Sequence, residues 1–520
     1  MRASLVGAQG LYRRGRHLVR VSREEGELPK GVERPPDAPA IRMVTEPLLA
    51  DALSRCGDYL RVTRTLKDGT RLYEPCYPPR FGVEALMAGE RFPVPMLEGI
   101  VEAPVLLKSG KILDTPGYDA YSGLFYEPPR HAKFLPVPAH PTAREIKSAL
   151  NWFHEAVTDF PFDQPEHRSA WMAGVLSYFA RWAYSGPTPL FLVDGNVRGA
   201  GKGKLAGAAA QICLGRKPMI VQQTADEKSE RELITSVALS GEMMVFIDNI
   251  NYPFGSSPLD SALTEAVWVP ILKYKNEPSR FTLNAVWWGN GNNIIFRAQN
   301  DTVRRSVKIQ IVSPLENPEQ RDDFQRPEPG YSRWLRENRP SFVWAALTLL
   351  RGFVQAGSPT SGMRLWGSFE GWSQVVRGTL VWAGEPDPYL AAAVHDQASD
   401  GGSEALSLLL RGWKALCHDQ NAEGLTVHEA LTALREHSEY AKAGTARHNP
   451  HEALLGAIRE LAKQKTAGLP EPGHLGVILK RSRRRPLGGL RLINKPAGNH
   501  VMRWFEIGRA SCRERVSSPV

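Results

Sequence analysis

The chain has 520 residues, a formal net charge of +10, and 42% hydrophobic against 23% charged residues. That length exceeds one ordinary core, so two to four domains are expected, and the balance is that of a globular protein. No apolar run reaches the roughly 18 residues that a membrane-spanning helix needs, and no short apolar core followed by a cleavage site opens the chain, so neither a membrane span nor secretion is expected.

Five cysteines, Cys56, Cys76, Cys213, Cys417 and Cys512, form no CxxC pair and no disulfide framework, which points to the cytoplasm. The basic excess permits a nucleic-acid partner without requiring one.

Residues 1–42 are rich in Arg, Pro and Glu with little periodicity. They are read as a disordered arm, or as preceding a true start at Met43. Residues 43–130 begin with an amphipathic helix, "VTEPLLADALSRCG", and continue in short strand patterns. Ser109-Gly110-Lys111 marks a hairpin, and the whole reads as an N-terminal α+β docking module. "PPRHAKFLPVPAHP" (128–141) reads as a linker.

Residues 142–313 alternate helices and strands, an α/β pattern. Thr142 with Glu145 three positions on is a capping-box signature. "RSAWMAGVLSYFARWAYSG" is a strongly apolar helix. A polar break, "PLENPEQRDDFQRPEPG", precedes a helical stretch over 331–415, read as a lid. Within it Trp366, Phe369 and Trp372 step as helix core, and Arg377 reads as a surface arginine, with a second-sensor role as the alternative. Residues 425–504 read as helices followed by a basic hairpin, a winged-helix-like domain. Residues 506–516, "EIGRASCRERV", back-translate into the read-through of a common sequencing adapter, so the natural chain is expected to end near Trp504.

The chemistry concentrates in the α/β part. "PLFLVDGNVRGAGKGKLAGAAAQI" has the order strand, glycine loop, helix that a phosphate-binding loop requires. Backbone N–H groups at Gly199, Ala200 and Gly201 would cradle phosphates, with Lys202 on the β/γ-phosphates and Lys204 adding charge. Two positions depart from the usual pattern. Asn196 replaces the first glycine, and Gly203 stands where a Ser or Thr would hold Mg²⁺. Taken alone, the loop is also readable as a structural turn.

"GEMMVFIDNIN" is an apolar strand, Met243–Ile247, ending in Asp248, a placement suited to holding Mg²⁺. Asn249 follows where a water-activating carboxylate is usual, leaving Asp260 and Glu265 as other candidates for the base. A third strand, "FTLNAVWWGNGNNII", ends in Asn290, Asn292 and Asn293, with Asn292 placed to sense the γ-phosphate. Arg304 and Arg305 precede a further strand.

Four such elements in this order within about 110 residues resemble AAA+-type P-loop ATPases of bacterial phages, plasmids and integrated elements, akin to phage primase-helicases and superfamily 3 helicases. The likeness extends to "GYDAYSGLFYEP" (117–128), "RLWGSFEGWSQVVRGTLVWAGEPDP" (364–388) and "LGVILKRSRRRPLGGLRLINKPAGNHVMRW" (475–504). It implies an α/β P-loop core with ATP and Mg²⁺ as cofactors, and a homo-oligomeric ring, a hexamer, in which Arg304 acts on the neighbour's nucleotide. It also implies unwinding or remodelling of DNA during replication of a mobile element. An ATP-gated, non-hydrolysing DNA-binding or helicase-loading switch is the alternative that Gly203 and Asn249 keep open.

Two basic stretches are candidate DNA contacts. Lys273 and Lys275 lie between the Asp248 and Asn292 strands. Lys480, Arg481, Arg483, Arg484 and Arg485 lie in the C-terminal domain. Both are also readable as solvated surfaces. No primase-like acidic motif and no Cys/His cluster with zinc spacing is present, so any priming is expected from a separate chain.

Overall fold

The described residues among the first 42 are built into the protein. The structure, a computed structural model, describes residues 1–6, 8–23, 28, 31–89, 92–129, 132–197, 199–224, 226–251, 253–265, 267–269, 280–297, 301–313, 318, 321–360, 362–392, 401–442, 451–462, 471–482, 490–497 and 501–507. Helix α1 (Arg2–Val6) leads into β1 (Tyr12–Arg14), β2 (His17–Ser22), β3 (Val32–Glu33) and β4 (Ala40–Met43). β1, β2 and β4 form an antiparallel sheet, and Leu5, Leu11 and Leu18 are buried against Leu49 and Leu53 of α2 (Glu46–Cys56). The expectation of a disordered arm is therefore corrected. Strands of two to six residues are too short to show periodicity over a window.

Beyond α2 lie a hairpin of β5 (Leu60–Thr65) and β6 (Arg71–Pro75) and helix α3 (Arg80–Met87). Next come β7 (Gly99–Val101), β8 (Val105–Leu106), β9 (Ile112–Leu113), β10 (Gly117–Asp119) and β11 (Leu124–Tyr126). β8 and β9 pair around Gly110, whose φ is 78°, as the turn signal predicted.

Helix α4 (Ala143–Ala156) opens with the expected capping box: Glu145 N–H donates to Thr142 Oγ1 at 3.3 Å, and Thr142 N–H donates to Glu145 Oε2 at 2.8 Å. α5 (Pro165–Ala180) is buried on every side. The central sheet then assembles from β12 (Leu190–Gly195), β13 (Met219–Gln222), β14 (Met244–Ile250), β17 (Val286–Asn292) and β18 (Ser306–Ile311), interleaved with α6 (Lys202–Cys213), α7 (Glu227–Ser240), α8 (Ser257–Ala262) and the small ribbon β15 (Val267–Trp268)–β16 (Phe281–Thr282). Its order is β18-β12-β17-β14-β13-β3. Five strands run parallel and β3 closes the edge antiparallel to β13.

Strands buried on both faces carry the near-continuous apolar runs that parallel sheets require. In β12, Phe191 and Val193 face a core shared with α4, α5 and α6. Leu190 and Leu192 face a second core with α7 and α8. The molecule is thus a mixed α/β protein with helices on both faces of a largely parallel sheet.

Three further expectations change. The supposed linker lies against the core: Phe134 and Val137 pack on it, and Arg351 Nη1 donates to Val137 O at 3.1 Å. The expected lid at 331–415 is not one body. α9 (Gly330–Glu337), α10 (Arg339–Gln355) and the helical turns at Glu370–Trp372 and Gly378–Trp382 share the core of α4–α6, because α10 is apolar nearly all round. The helix Gly401–Asp419 belongs to the second unit, for contacts divide the chain into Met1–Ala393 and Val394–Val520. Trp366, Phe369 and Trp372 are buried in the core as expected, but only Trp372 is helical, the helical turn beginning at Glu370. Arg377 is not at the surface. It is buried, pairs with both Asp387 oxygens at 2.6 Å and donates to Arg364 O at 2.7 Å, so it is committed to structure.

A buried charged network ties distant segments together. Arg216 bonds Glu102 at 2.7–3.0 Å and Glu242 at 3.4 Å, Glu242 also takes Arg34, and Arg339 donates to the α6 terminal carbonyls of Ile212 (3.1 Å) and Cys213 (2.8 Å). Burial pushes the Glu102 carboxyl up, against the pull of Arg216.

The second unit contains helices over Gly401–Asp419, Val427–Lys442, Glu452–Ala462 and Pro472–Ser482 and the strands β19 (Leu425–Thr426), β20 (Arg491–Pro496) and β21 (Met502–Ile507). The strands form an antiparallel sheet of order β19-β21-β20 over a core that includes Leu410, Trp413 and Trp504. Glu506 and Ile507 pair with Leu492 and Arg491. The rest of the suspected adapter segment lies outside the described residues. Among the described residues no helix is long and apolar enough to cross a membrane.

Gly174 of α5 is where the two layers touch. A Cβ there would come within 2.6 Å of Trp288 Cη2 and 3.1 Å of Phe191 Cγ. Gly→Ala inside a helix ordinarily gains about 1 kcal/mol. Gly174→Ala is expected instead to lose about 1–3 kcal/mol through overpacking, read as a lower urea midpoint with an unchanged slope.

Candidate functional site

The glycine-rich stretch expected to bind phosphate lies between β12 and α6. Gly199 and Gly201 have φ of 78° and 95°, conformations that side chains with a Cβ rarely adopt. Gly201 is the N-cap of α6, and Lys202 is its first residue. The Lys202 side chain turns back over β12. A Cβ on Gly195 would lie 2.9 Å from Lys202 Cδ, so Gly195 makes room for the lysine stem.

Lys202 Nζ donates to Val197 O at 3.0 Å and to Asn292 Oδ1 at 2.6 Å. Two residues 90 positions apart, each marked by its own local pattern, therefore meet. The cause is the register: Asn292, the last residue of β17, lies opposite Gly195, the last residue of β12. Burial lowers the Lys202 ammonium pKa below its ordinary value, and the neighbouring Asp194 carboxylate opposes that shift. Such an ammonium gains more from a phosphate than a fully hydrated one does.

β14 lies on the other side of β17 and runs to Ile250, three residues beyond the expected end, through an irregularity between Ile247 and Ile250. Asp248 sits there, exposed. Asn249 has φ of 53°, and its N–H donates to Asn290 Oδ1 at 2.8 Å. Asn290 thus anchors the turn that presents Asp248. Asn196 bonds Ser313 in both directions at 3.0 Å, pinning the loop's start to the chain beyond β18. Lys204 is exposed and lines a neighbouring cavity, and Asn293 Nδ2 donates to Asn196 O at 3.4 Å.

Some predicted residues are elsewhere. Arg304 and Arg305 lie in the 3₁₀ turn Asp301–Arg305. That turn leads into Ser306, which pairs with Leu190 at the start of β12, so the arginines lie roughly 17 Å along the strand from the loop. Arg304 is exposed and pairs with Asp301 at 2.6 Å. Arg305 pairs with Asp260 at 3.1 Å. Asp260 also accepts from Thr302 Oγ1 at 2.6 Å, so it is spent on structure and is not a base. Glu265 is exposed at the end of α8. Lys273, Lys275, Arg483, Arg484 and Arg485 lie outside the described residues. Lys480 is exposed on the helix Pro472–Ser482, which also carries Arg481.

Two features escaped sequence reasoning. Asp194, fully buried in β12, pairs with Lys308 at 3.1 Å and accepts from Ile294 N–H at 3.2 Å. It holds the chain after β17 against the loop strand. A cavity of about 470 Å³ also opens beside Gly199, Ala200, Gly201 and Lys204, walled by Phe160, Phe324, Tyr331 and Arg321. Its outer wall is the stretch read as a polar break. There Arg321 donates to Asp159 O at 2.6 Å and stacks over Phe324 at 4.6 Å. The interleaving of Arg and Phe in "RDDFQR" was the available signal.

No protein-family model matches the sequence, and no curated protein matches it. Among solved structures, the apo C-terminal region of NrS-1 aligns over 88% of this chain and 99% of its own, at 13% identity and a TM-score of 0.38. SCCmec type IV Cch, described as an active helicase, aligns over 76% of this chain and 85% of its own, at 10% identity and a TM-score of 0.29. Likeness this distant assigns neither fold nor function.

The residues present suit a nucleotide with a divalent ion. The glycine loop and Lys202 offer N–H donors and a positive charge, and Asp248 is an exposed carboxylate near the end of β14, two strands over from β12. Among the described residues no cluster of three or more metal-ligating side chains forms. Gly203 supplies no ligand, yet among the described residues beyond its own helix turn the nearest atom to its would-be Cβ is Asn290 Nδ2, at 3.9 Å. Gly203→Ser is therefore expected to fold normally. The Mg²⁺ concentration giving half-maximal ATP binding should fall by roughly tenfold, the scale of one added interaction of about 1.4 kcal/mol. A fluorescent ATP analogue titrated across Mg²⁺ concentrations would measure it.

Proposed function

We propose that this chain is an ATP-dependent motor that remodels or unwinds DNA, acting as an oligomeric ring. One observation carries the nucleotide half of the reading: the Lys202 ammonium and the Asn292 amide meet at 2.6 Å at the carboxyl ends of adjacent parallel strands, with Asp248 on the next strand over. Ligands in open α/β sheets bind at this edge.

In this reading the γ-phosphate takes the place of Asn292 Oδ1 on Lys202 Nζ. The freed amide is then available to orient the attacking water. Lys202 and the loop N–H groups hold negative charge as it shifts onto the leaving oxygen. The cavity walled by Phe160, Phe324 and Tyr331 receives the nucleoside. Asp248 would hold Mg²⁺, which would supply positive charge to offset that of the phosphates. Arg304, exposed at the far end of the strands, cannot reach its own site and would serve a neighbouring subunit's. The DNA half rests on the basic excess, on Lys480 and Arg481, and on the C-terminal hairpin β20–β21, which suits a winged-helix wing lying on backbone phosphates.

Asn249 favours a second reading. It stands where a base is usual, and its backbone is tied to Asn290. An amide orients water without accepting a proton, so ATP would then work as an assembly switch.

Steady-state hydrolysis by the full chain, with and without single-stranded DNA, beside Lys202→Ala, separates the two. The motor reading expects turnover that rises with DNA and falls at least about 100-fold in the variant. ATP binding without turnover in either condition leaves only the switch.

A further inference from the structure

The hairpin β5–β6 has no core on either side. Every residue from 60 to 75 is exposed, including Leu60, Val62, Leu66, Leu72 and Tyr73 at 37–57%. Two-stranded ribbons are marginal in water by themselves, and a buried face would explain large apolar side chains here. None exists, so packing does not account for this composition.

The ribbon is nonetheless well formed. Its turn is closed by Gly69 N–H on Leu66 O at 3.0 Å and by Thr70 N–H on Asp68 Oδ1 at 3.0 Å, with Gly69 at φ 87°. An irregularity between Val62 and Arg64 sets Val62 opposite Tyr73 but Arg64 opposite Leu72. Opposed residues share a face, and so do residues two apart on one strand. Leu60, Val62, Arg71 and Tyr73 therefore line one face, and Arg61 and Arg64 line the other. Without the extra residue, Arg61 and Arg64 would point to opposite sides.

Charge selects the partner. The hairpin carries Arg61, Arg64, Lys67 and Arg71 against Asp68 and Glu74, and among the described residues none of the four cations is held in an ion pair. Cations outnumber acids, Asp68 is used in the turn, and Tyr73 and Arg71 lie two residues apart on the same face. Exposed Tyr77 and Phe81, at 83% and 76%, follow directly. Interleaved cations and accessible aromatic faces match a polyanion whose bases are unpaired and free to stack.

We infer that the β5–β6 hairpin is a contact for single-stranded nucleic acid. Tyr73 offers a stacking face and Arg64, Arg71, Arg61 and Lys67 take backbone phosphates. The inference rests on the reading that this chain acts on DNA, and it gives that function to a segment outside the ATPase core and outside the C-terminal basic run.

The test is fluorescence anisotropy of a labelled oligothymidylate against the full chain over a range of salt. Arg64→Glu with Arg71→Glu should weaken binding at least tenfold and flatten the log–log salt slope by about 0.7 for each phosphate no longer neutralised. Tyr73→Ala should weaken it about fivefold or more with the slope unchanged, as removal of one stacked base predicts. Binding of a fluorescent ATP analogue and the thermal midpoint should match the parent in both variants, because among the described residues these side chains join no buried core. Parental oligonucleotide affinity in both variants overturns the inference while leaving the DNA reading standing. Parental affinity with an altered sedimentation coefficient also overturns it, assigning the hairpin to protein contact instead. A parent chain that binds the ATP analogue but no oligonucleotide fails the DNA reading itself, and the hairpin assignment with it.

Discussion

The candidate site depends on one constraint, the placing of β17 between β12 and β14. These three strands are not consecutive in sequence, and their pairing is parallel, so their carboxyl ends share one edge. Gly195 opposite Asn292 fixes where the lysine meets the amide. The irregularity in β14 sets how far Asp248 projects. A one-residue slip in either pairing would turn every side chain to the other face and separate the groups. The two cores hold that register, because each strand presents alternate residues to each.

Much of this was legible from local pattern. Glycines at 199 and 201, an apolar run ending in Asp248 and another ending in asparagines each follow from backbone chemistry within a few residues. The capping box at Thr142 and the turn at Gly110 were legible for the same reason. What failed was long-range. Arg377 looked like a surface residue because its partner, Asp387, lies beyond a turn. The lid dissolved because α10 has no polar face to show solvent, and only tertiary structure shows which helices cover it. Asp194 reads as one more residue in a strand until Lys308 is seen beside it.

Asp194 and the Lys202–Asn292 bond also show that the polar groups of this region are partnered within the chain. Lys202 has two acceptors and Asn249 N–H has one. On the proposed reading, a phosphate arriving here would compete with existing bonds, so its net gain would be a difference between two sets of contacts rather than the sum of new ones. Asn292 Oδ1 would then give up Lys202 as the phosphate took it, which would tie the ends of β12 and β17 to occupancy.

The sheet's last strand has a further consequence, in time. β3 pairs with β13 through Val32 opposite Val221, so the strand that covers this edge is made early and its partner emerges about 190 residues later, at roughly 5–20 residues per second. For something on the order of ten seconds or more, the first segment exists without the surface it belongs on. Closing the sheet is therefore a late event on a growing chain: β3 must return to a strand made long after it, while Leu5, Leu11 and Leu18 find Leu49 and Leu53 as soon as α2 is made.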